Sequence, residues 1–135
     1  MKELIIDAAT ENLDEVMSFI TEQLEAVDCP MKTQMQIEVA VEELFVNIAH
    51  YAYAPDTGTA KIRTEITADT AEITFIDSGV QYDPLAKPDP DVTLSAAERQ
   101  IGGLGIYMVK KSMDDVRYEY KDGQNILTIT KGIQL

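Results

Sequence analysis

Two pairs of short segments with alternating side chains limit the folds open to this chain. In each pair, apolar and polar residues alternate along both segments, and a short polar turn lies between them. The pairs are Ala60 to Thr67 with Ala71 to Ile76, joined by Ala68-Asp69-Thr70, and Val116 to Tyr120 with Ile126 to Ile133, with a turn at Asp122-Gly123. Alternation with a period of two is typical of strands with one buried face, and such turns join strands as hairpins. The sequence therefore predicts a mostly antiparallel or mixed sheet.

Two amphipathic helices are predicted upstream of the first hairpin. Apolar side chains recur at helical spacing over residues 13 to 26, and again from about 31 to 50 or slightly beyond. We expect Asn12 to cap the first helix, with Glu15 three residues later completing a capping box. Asp28, two residues before Pro30, is the expected cap of the second helix.

The order of the predicted elements indicates the fold class. A strand over Lys2 to Ile6 precedes the two helices, and after the first hairpin come a long connection, a third helix and the second hairpin. Helices grouped in pairs cover one face of a sheet, which predicts an α+β fold, a two-layer α/β sandwich. A chain of 135 residues is long enough for one domain with a real core, so we expect a single domain over 1–135. The connection, about 85 to 100, contains Pro88 and Pro90 and shows little periodicity except for a possible helical turn from Leu94 to Glu98. Loops of this length in compact domains are usually lids or disordered segments.

The charge and the apolar runs restrict the partners and the compartment. With 11 basic and 24 acidic residues the net charge is −13, which argues against direct nucleic-acid binding because a phosphate backbone requires a basic surface. No run approaches the length of a membrane span, and the N-terminus lacks the apolar core of a secretory signal, so we expect a cytoplasmic protein without a membrane partner. Cys29 is the only cysteine, so no internal disulfide is possible, and we expect it to be buried or half-buried.

A glycine-rich stretch opens the third helix, predicted over about 101 to 113. It reads Gly102-Gly103-Leu104-Gly105-Ile106. Glycines allow a ligand to approach the backbone closely, and the free N–H groups at a helix start attract anions, most often phosphate. The alternative is a glycine turn before an ordinary packing helix, because a short glycine motif is a weak signal by itself.

Polar residues interrupt the apolar pattern of the second helix. Glu43, Asn47 and His50 are spaced four and three residues apart, which places them on one helical face. An amide oxygen such as that of Asn47 is able to bind Mg²⁺, and a carboxylate such as that of Glu43 is able to accept a proton from an attacking hydroxyl or water. The alternative is a polar face that hydrogen-bonds to a neighbouring backbone.

Asp77 and Gly79 follow the second strand of the first hairpin. A carboxylate at the end of an apolar strand is well placed to contact the edge of a ligand, and Gly79 permits close approach. The alternative is a simple turn in which the Asp side chain hydrogen-bonds to the backbone two residues on.

Taken in order, these motifs resemble the nucleotide-binding boxes of the GHKL ATPase superfamily, and most closely those of the compact bacterial anti-sigma-factor serine/threonine kinases. The resemblance rests on Glu43-x-x-x-Asn47, on Asp77-x-Gly79 with Tyr82-Asp83-Pro84, and on Gly102-Gly103-Leu104-Gly105-Ile106-x-Met108-Val109. It extends from about residue 8 to 131. It implies the Bergerat fold, also called the histidine-kinase-like ATPase fold.

The resemblance also implies a role for each motif. Glu43 corresponds to the general base, Asn47 to the Mg²⁺ ligand and Asp77, supported by Gly79, to the residue that binds the adenine amino group. The resemblance implies that the triphosphate is bound by Gly102, Gly103, Leu104, Gly105 and Ile106. It also implies that residues from about 85 to 101 form the ATP lid. Many members have a threonine at the start of the last strand, where this chain has Asn125, so Asn125 or a water is expected to substitute for it.

By this resemblance the chain binds ATP or ADP with Mg²⁺ and transfers the γ-phosphate of ATP to a serine of a STAS-type anti-anti-sigma protein. It would also sequester a sigma factor and form a homodimer. The alternative function is a nucleotide-dependent docking module with little or no kinase activity. A detached catalytic domain of a histidine kinase is less favoured because His50, the only histidine, lies within the predicted nucleotide-site helix.

Overall fold

A computed structural model describes residues 1–54, 56–86 and 103–133 of the chain. In this part of the chain, five strands and three α-helices form two layers. The strands are β1 (Lys2–Asp7), β2 (Thr59–Ile66), β3 (Thr70–Asp77), β4 (Asp115–Lys121) and β5 (Gln124–Gly132). The α-helices are α1 (Leu13–Ala26), α2 (Met31–Asn47) and α3 (Gly103–Ser112). The predicted helical turn at residues 94 to 98 and most of the predicted lid lie outside the described residues.

The five strands form one sheet in the order β1-β2-β3-β5-β4, and each neighbouring pair is antiparallel. Both predicted hairpins are present. Asp122 and Gly123 have φ angles of 53° and 76°, the left-handed pair that a two-residue hairpin turn requires. The predicted α+β sandwich is therefore confirmed, with antiparallel pairing throughout the described sheet.

The three helices cover one face of the sheet, where α2 packs against both α1 and α3. Alternate strand residues point into this layer, as the period of two requires. Burial of such apolar surface is the main driving force for folding. Fully buried side chains of the core include Val16, Ile20, Leu24, Ile37, Val41, Phe45, Ile62, Ile73 and Ile129. Cys29 is also buried, as predicted.

Asn12 occupies the N-cap position of α1 as predicted, but without the predicted side-chain bond, and the predicted cap of the second helix at Asp28 is wrong. The Asn12 side chain makes no cap bond to α1; its Nδ2 donates instead to the Asp7 carbonyl oxygen at 3.0 Å, which ties the start of α1 to the end of β1. Asp28 lies at φ 54° and ends α1, since the N–H groups of Asp28 and Cys29 donate to the carbonyls of Glu25 and Leu24. This is the paired bonding of a Schellman motif. Helix α2 begins after Pro30 without a side-chain cap.

The end of α2 changes its winding. The regular helix ends at Asn47, and Ile48–Ala52 continue it as a wider π-helical turn. A π-helical turn inserts an extra residue and is often found at functional sites. Within the described residues no helix is long and apolar enough to cross a membrane.

Candidate functional site

A pocket of about 230 Å³ lies between the C-terminal part of α2 and the inner face of the sheet. Its wall is mostly apolar, and two buried polar side chains, Asp77 and Asn125, lie at the ends of β3 and β5. A concave, largely apolar pocket with few polar groups is the usual form of a small-molecule site. The apolar lining includes Leu44, Ile48, Phe75, Val80, Ile106 and Leu127.

Asp77 is only 6% exposed and its carboxylate is held in one orientation. Its Oδ1 accepts hydrogen bonds from the Gly79 N–H and from Asn125 Nδ2, both at 2.9 Å. The bond from the Gly79 N–H forms the turn that the sequence suggested as an alternative role for Asp77. Asp77 therefore both forms this turn and lines the pocket. Because both bonds reach Oδ1, the other oxygen, Oδ2, is left for a donor in the pocket.

Asn125 connects three segments around Asp77. It is 7% exposed, and it is the residue paired with Asp77 across β3 and β5. Its Nδ2 donates to Asp77 and also to the Val80 carbonyl oxygen, at 2.9 Å. Its Oδ1 accepts from the Tyr82 N–H at 3.1 Å and from the Tyr118 hydroxyl. All four hydrogen-bonding positions of the amide are therefore used. The structure therefore places Asn125 directly beside Asp77.

The loop after Asp77 is packed against the π-helical turn. A Cβ at Gly79 would overlap the carbonyl group of Ala52, and the Val80 N–H donates to the same carbonyl oxygen at 2.8 Å. Only glycine leaves room for this approach.

The Tyr53 hydroxyl accepts from the Ser78 N–H at 2.8 Å and donates to the Thr59 carbonyl oxygen at 2.6 Å. The end of α2 therefore fixes the position of the Asp77 loop.

Glu43 and Asn47 lie one turn apart on α2, as predicted. Asn47 lines the pocket. The Glu43 carboxylate lies against the start of α3, where a Cβ at Gly105 would overlap it. Burial raises the pKa of the Glu43 carboxyl, and the negative charge of Glu42 raises it further. A carboxylate with a raised pKa is a better proton acceptor and is typical of functional sites.

The structure brings only part of the glycine-rich stretch to the pocket. Gly103 begins α3, Gly105 contacts Glu43, and Ile106 is buried in the pocket wall. Gly102 lies outside the described residues, and the side chain of Leu104 is not described.

His50 is exposed and does not line the pocket, whereas Asn47 does. Tyr51, four residues after Asn47, also lines the pocket. The sequence analysis also gave no role to Tyr53 or Tyr118. The alternating pattern of β4 could have predicted that Tyr118 points inward, since it lies on the same face of the strand as Val116.

The described residues offer few metal ligands. They contain no group of three or more His, Cys, Asp or Glu side chains able to hold a metal ion. Mg²⁺ commonly binds one or two protein oxygens and completes its coordination with phosphates and waters. The Asn47 amide oxygen at the pocket fits that arrangement, whereas a site made only of protein carboxylates does not.

Comparison with known proteins identifies the family. The profile of the histidine kinase-like ATPase domain matches residues 6–131, and the chain belongs to this family. The serine-protein kinase RsbW of Bacillus cereus is 31% identical over 102 residues, which are 73% of this chain and 63% of that protein. The chain thus matches less than two thirds of the length of this relative.

Solved structures share the fold. The RsbU and RsbW domains of a Mycobacterium tuberculosis protein match with a TM-score of 0.64 at 17% identity, over 97% of this chain and 32% of that one. The histidine kinase AdeS of Acinetobacter baumannii matches with a TM-score of 0.57 at 15% identity, over 100% of this chain and 69% of that one. The predicted histidine-kinase-like ATPase fold is confirmed, and membership of this ATPase family implies nucleotide binding.

The Asn125 network yields a prediction about stability. Asn125→Leu removes four hydrogen bonds and leaves the buried Asp77 carboxylate with one, whereas Tyr118→Phe removes a single bond. An unsatisfied buried group costs about 1–3 kcal/mol and a single bond about 1 kcal/mol. We expect urea denaturation to show a clearly larger loss for Asn125→Leu than for Tyr118→Phe. Equal losses would mean that Asn125 does not hold the network together.

The raised pKa of Glu43 predicts a pH dependence. Burial disfavours the ionised carboxylate, so the native state binds the Glu43 proton more tightly than the unfolded chain does. The free energy of unfolding therefore falls as the pH rises above the carboxyl pKa of the unfolded chain, about 4.5. Glu43→Gln removes this loss. We therefore expect the variant to gain stability relative to wild type between pH 4 and pH 7, measured by thermal melting, and the exposed Glu22→Gln on α1 to show no such trend. A difference independent of pH would contradict the assignment.

Proposed function

We propose that this chain is an ATP-dependent protein-serine kinase of the anti-sigma-factor type. It transfers the γ-phosphate of ATP to a serine of a STAS-type anti-anti-sigma protein and sequesters a sigma factor. The observation that carries the proposal is the position of the Glu43 carboxylate, which is half-buried, has a raised pKa and lies against the start of α3. The similarity to serine-protein kinase RsbW supports the same assignment.

In this proposal the adenine end of ATP lies at Asp77. Oδ2 accepts a hydrogen bond from the exocyclic amino group of adenine, while Asn125 and Gly79 hold Oδ1. The apolar wall formed by Ile48, Phe75 and other residues covers the faces of the base. A base with an oxygen in place of the amino group, such as guanine, would face the carboxylate with a second acceptor and bind more weakly.

The phosphates lie at the other end of the pocket, near the start of α3. Backbone N–H groups at a helix start bind anions, and the absence of side chains at Gly102 and Gly103 allows close approach, while the missing side chain of Gly105 makes room for Glu43. Leu104 and Ile106 contribute backbone groups to the same turn.

Asn47 would hold Mg²⁺ through its amide oxygen. The metal would offset the negative charge of the triphosphate. The lid over 85–101 stays a prediction, since residues 87–102 lie outside the described structure.

Glu43 acts as the general base for the acceptor serine. The serine hydroxyl gives its proton to the Glu43 carboxylate as the serine oxygen bonds to the γ-phosphorus. The bond between the γ-phosphorus and the oxygen bridging to the β-phosphate breaks, and ADP leaves with that electron pair. Phosphoryl transfer depends mainly on positioning and charge stabilisation, and a positioned base typically contributes about 10²- to 10⁴-fold.

The test separates binding from transfer. Glu43→Gln keeps the shape of the side chain but cannot take up the proton, so we expect it to bind Mg-ATP with wild-type affinity and to lose phosphotransfer by about 10²-fold or more. Asn47→Leu is expected to weaken binding of ATP in Mg²⁺ more than in EDTA. Calorimetry measures binding, and transfer of labelled phosphate to purified STAS-type proteins measures catalysis.

Glu42→Gln is the matched control, because Glu42 is the exposed neighbour of Glu43. It is expected to retain transfer. If binding and transfer fell together in Glu43→Gln, the general-base role would be wrong. A wild-type chain that binds Mg-ATP and a STAS-type protein without transferring phosphate would favour the docking module instead.

A further inference from the structure

A second groove lies on the outer side of the helical layer, between α2 and α3. It has a volume of about 250 Å³ and is lined by Met35, Gln36, Val39 and Ala40 from α2 and by Met108 and Ser112 from α3, among others. Met35, Val39 and Met108 are 57%, 58% and 52% exposed. Large apolar side chains clustered in one groove at this exposure are typical of a binding surface, and methionines adapt readily to a partner.

The groove leads directly to Glu43. On α2, positions 32, 36, 39 and 43 follow one another at helical spacing, so Lys32, Gln36, Val39 and Glu43 share one face. The rise of a helix is 1.5 Å per residue, so this face extends roughly 16 Å from Lys32 to Glu43. Helix α3 runs antiparallel beside it, because Gly105 contacts Glu43 while Ser112 lies at the end near Met35. An occupant of the groove would therefore end at the proposed catalytic carboxylate.

The two ends of the groove carry opposite charge. Lys32 lies at the end remote from Glu43, and Lys111 follows Met108 by three residues on α3, where its ammonium lies 5.5 Å from the centre of the Tyr107 ring. Glu42 and Glu43 lie at the other end. In a chain with a net charge of −13, the lysine end is a local exception to the acidic surface. It complements a carboxylate on the partner and fixes the direction in which the partner lies.

We propose that this groove is the docking surface for the protein that accepts the phosphate. The acceptor places an apolar segment over Met35, Val39 and Met108, with an acidic side chain near Lys32 and Lys111. Its serine then reaches Glu43 at the opposite end. This inference rests on the proposed kinase function and adds the surface and the polarity by which the acceptor is recognised.

The test places a charge in the centre of the groove. Val39→Lys introduces a residue with good helix propensity and places its hydrated ammonium group among the apolar side chains. With a purified STAS-type protein that the wild type phosphorylates, we expect KM for that protein to rise at least 10-fold. The kcat at saturating acceptor and the Kd for Mg-ATP are expected to stay at wild-type values. Ile5→Lys on β1 is the matched control, because Ile5 is a β-branched residue of similar exposure, 61%, outside the groove.

A second variant tests the polarity. Lys111→Glu reverses the charge of this side chain, and we expect it to raise KM for the acceptor at low salt and to have a smaller effect at high salt, since screening weakens exposed charge pairs. An unchanged KM in Lys111→Glu would overturn the proposed direction of the acceptor.

The outcomes distinguish this inference from the kinase function. If the wild type transfers phosphate and Val39→Lys matches Ile5→Lys in KM, the groove is not the docking surface, and the kinase function stands. If Val39→Lys changes the oligomeric state measured by light scattering, the groove contacts a second copy of the chain, which also overturns the inference. If the wild type binds Mg-ATP but phosphorylates no STAS-type protein, the kinase function fails, and the acceptor groove fails with it.

Discussion

The site depends on one buried carboxylate and the amide that holds it. Asp77 lies at the end of a central strand, where an ionised group is costly to bury unless it is hydrogen-bonded. Asn125, its partner across the sheet, supplies one of its two hydrogen bonds and uses its remaining positions to hold the loop that follows. The π-helical turn after α2 packs against that loop through the Ala52 carbonyl. The sheet, the helix end and the loop are therefore joined at the base of the pocket.

The contact between α2 and the start of α3 has a different physical character. There Glu43 is half-buried beside α3 without a described ion pair, and burial disfavours its charged form. Such a group lowers the stability of the free protein but is well suited to take up a proton. The antiparallel contact of α2 with α3 that buries Glu43 also forms the outer groove, so the position of the proposed base and the proposed docking surface have a common structural origin.

The periodicities of the sequence predicted the fold because burial on one face determines both helices and strands. The strands, the hairpin at Asp122 and the order of layers follow from that rule alone. The errors concern local geometry: the Asn12 side chain bonds to the Asp7 carbonyl instead of to α1, and Asp28 ends α1 instead of beginning α2. Asp77 and Asn125 are 48 residues apart, so their contact depends on strand register, which a spacing motif does not contain.

The most direct test of a nucleotide site built on Asp77 and Asn125 is thermal melting of the purified protein against increasing ATP, with and without Mg²⁺, and against GTP. A ligand that binds only the native state stabilises it by about 2.7 kcal/mol at a concentration of 100 Kd. The account predicts a Tm that rises with ATP concentration, rises further with Mg²⁺, and changes much less with GTP. No rise at millimolar Mg-ATP, or an equal rise with GTP, would contradict the assignment of Asp77 as the residue that binds the adenine amino group.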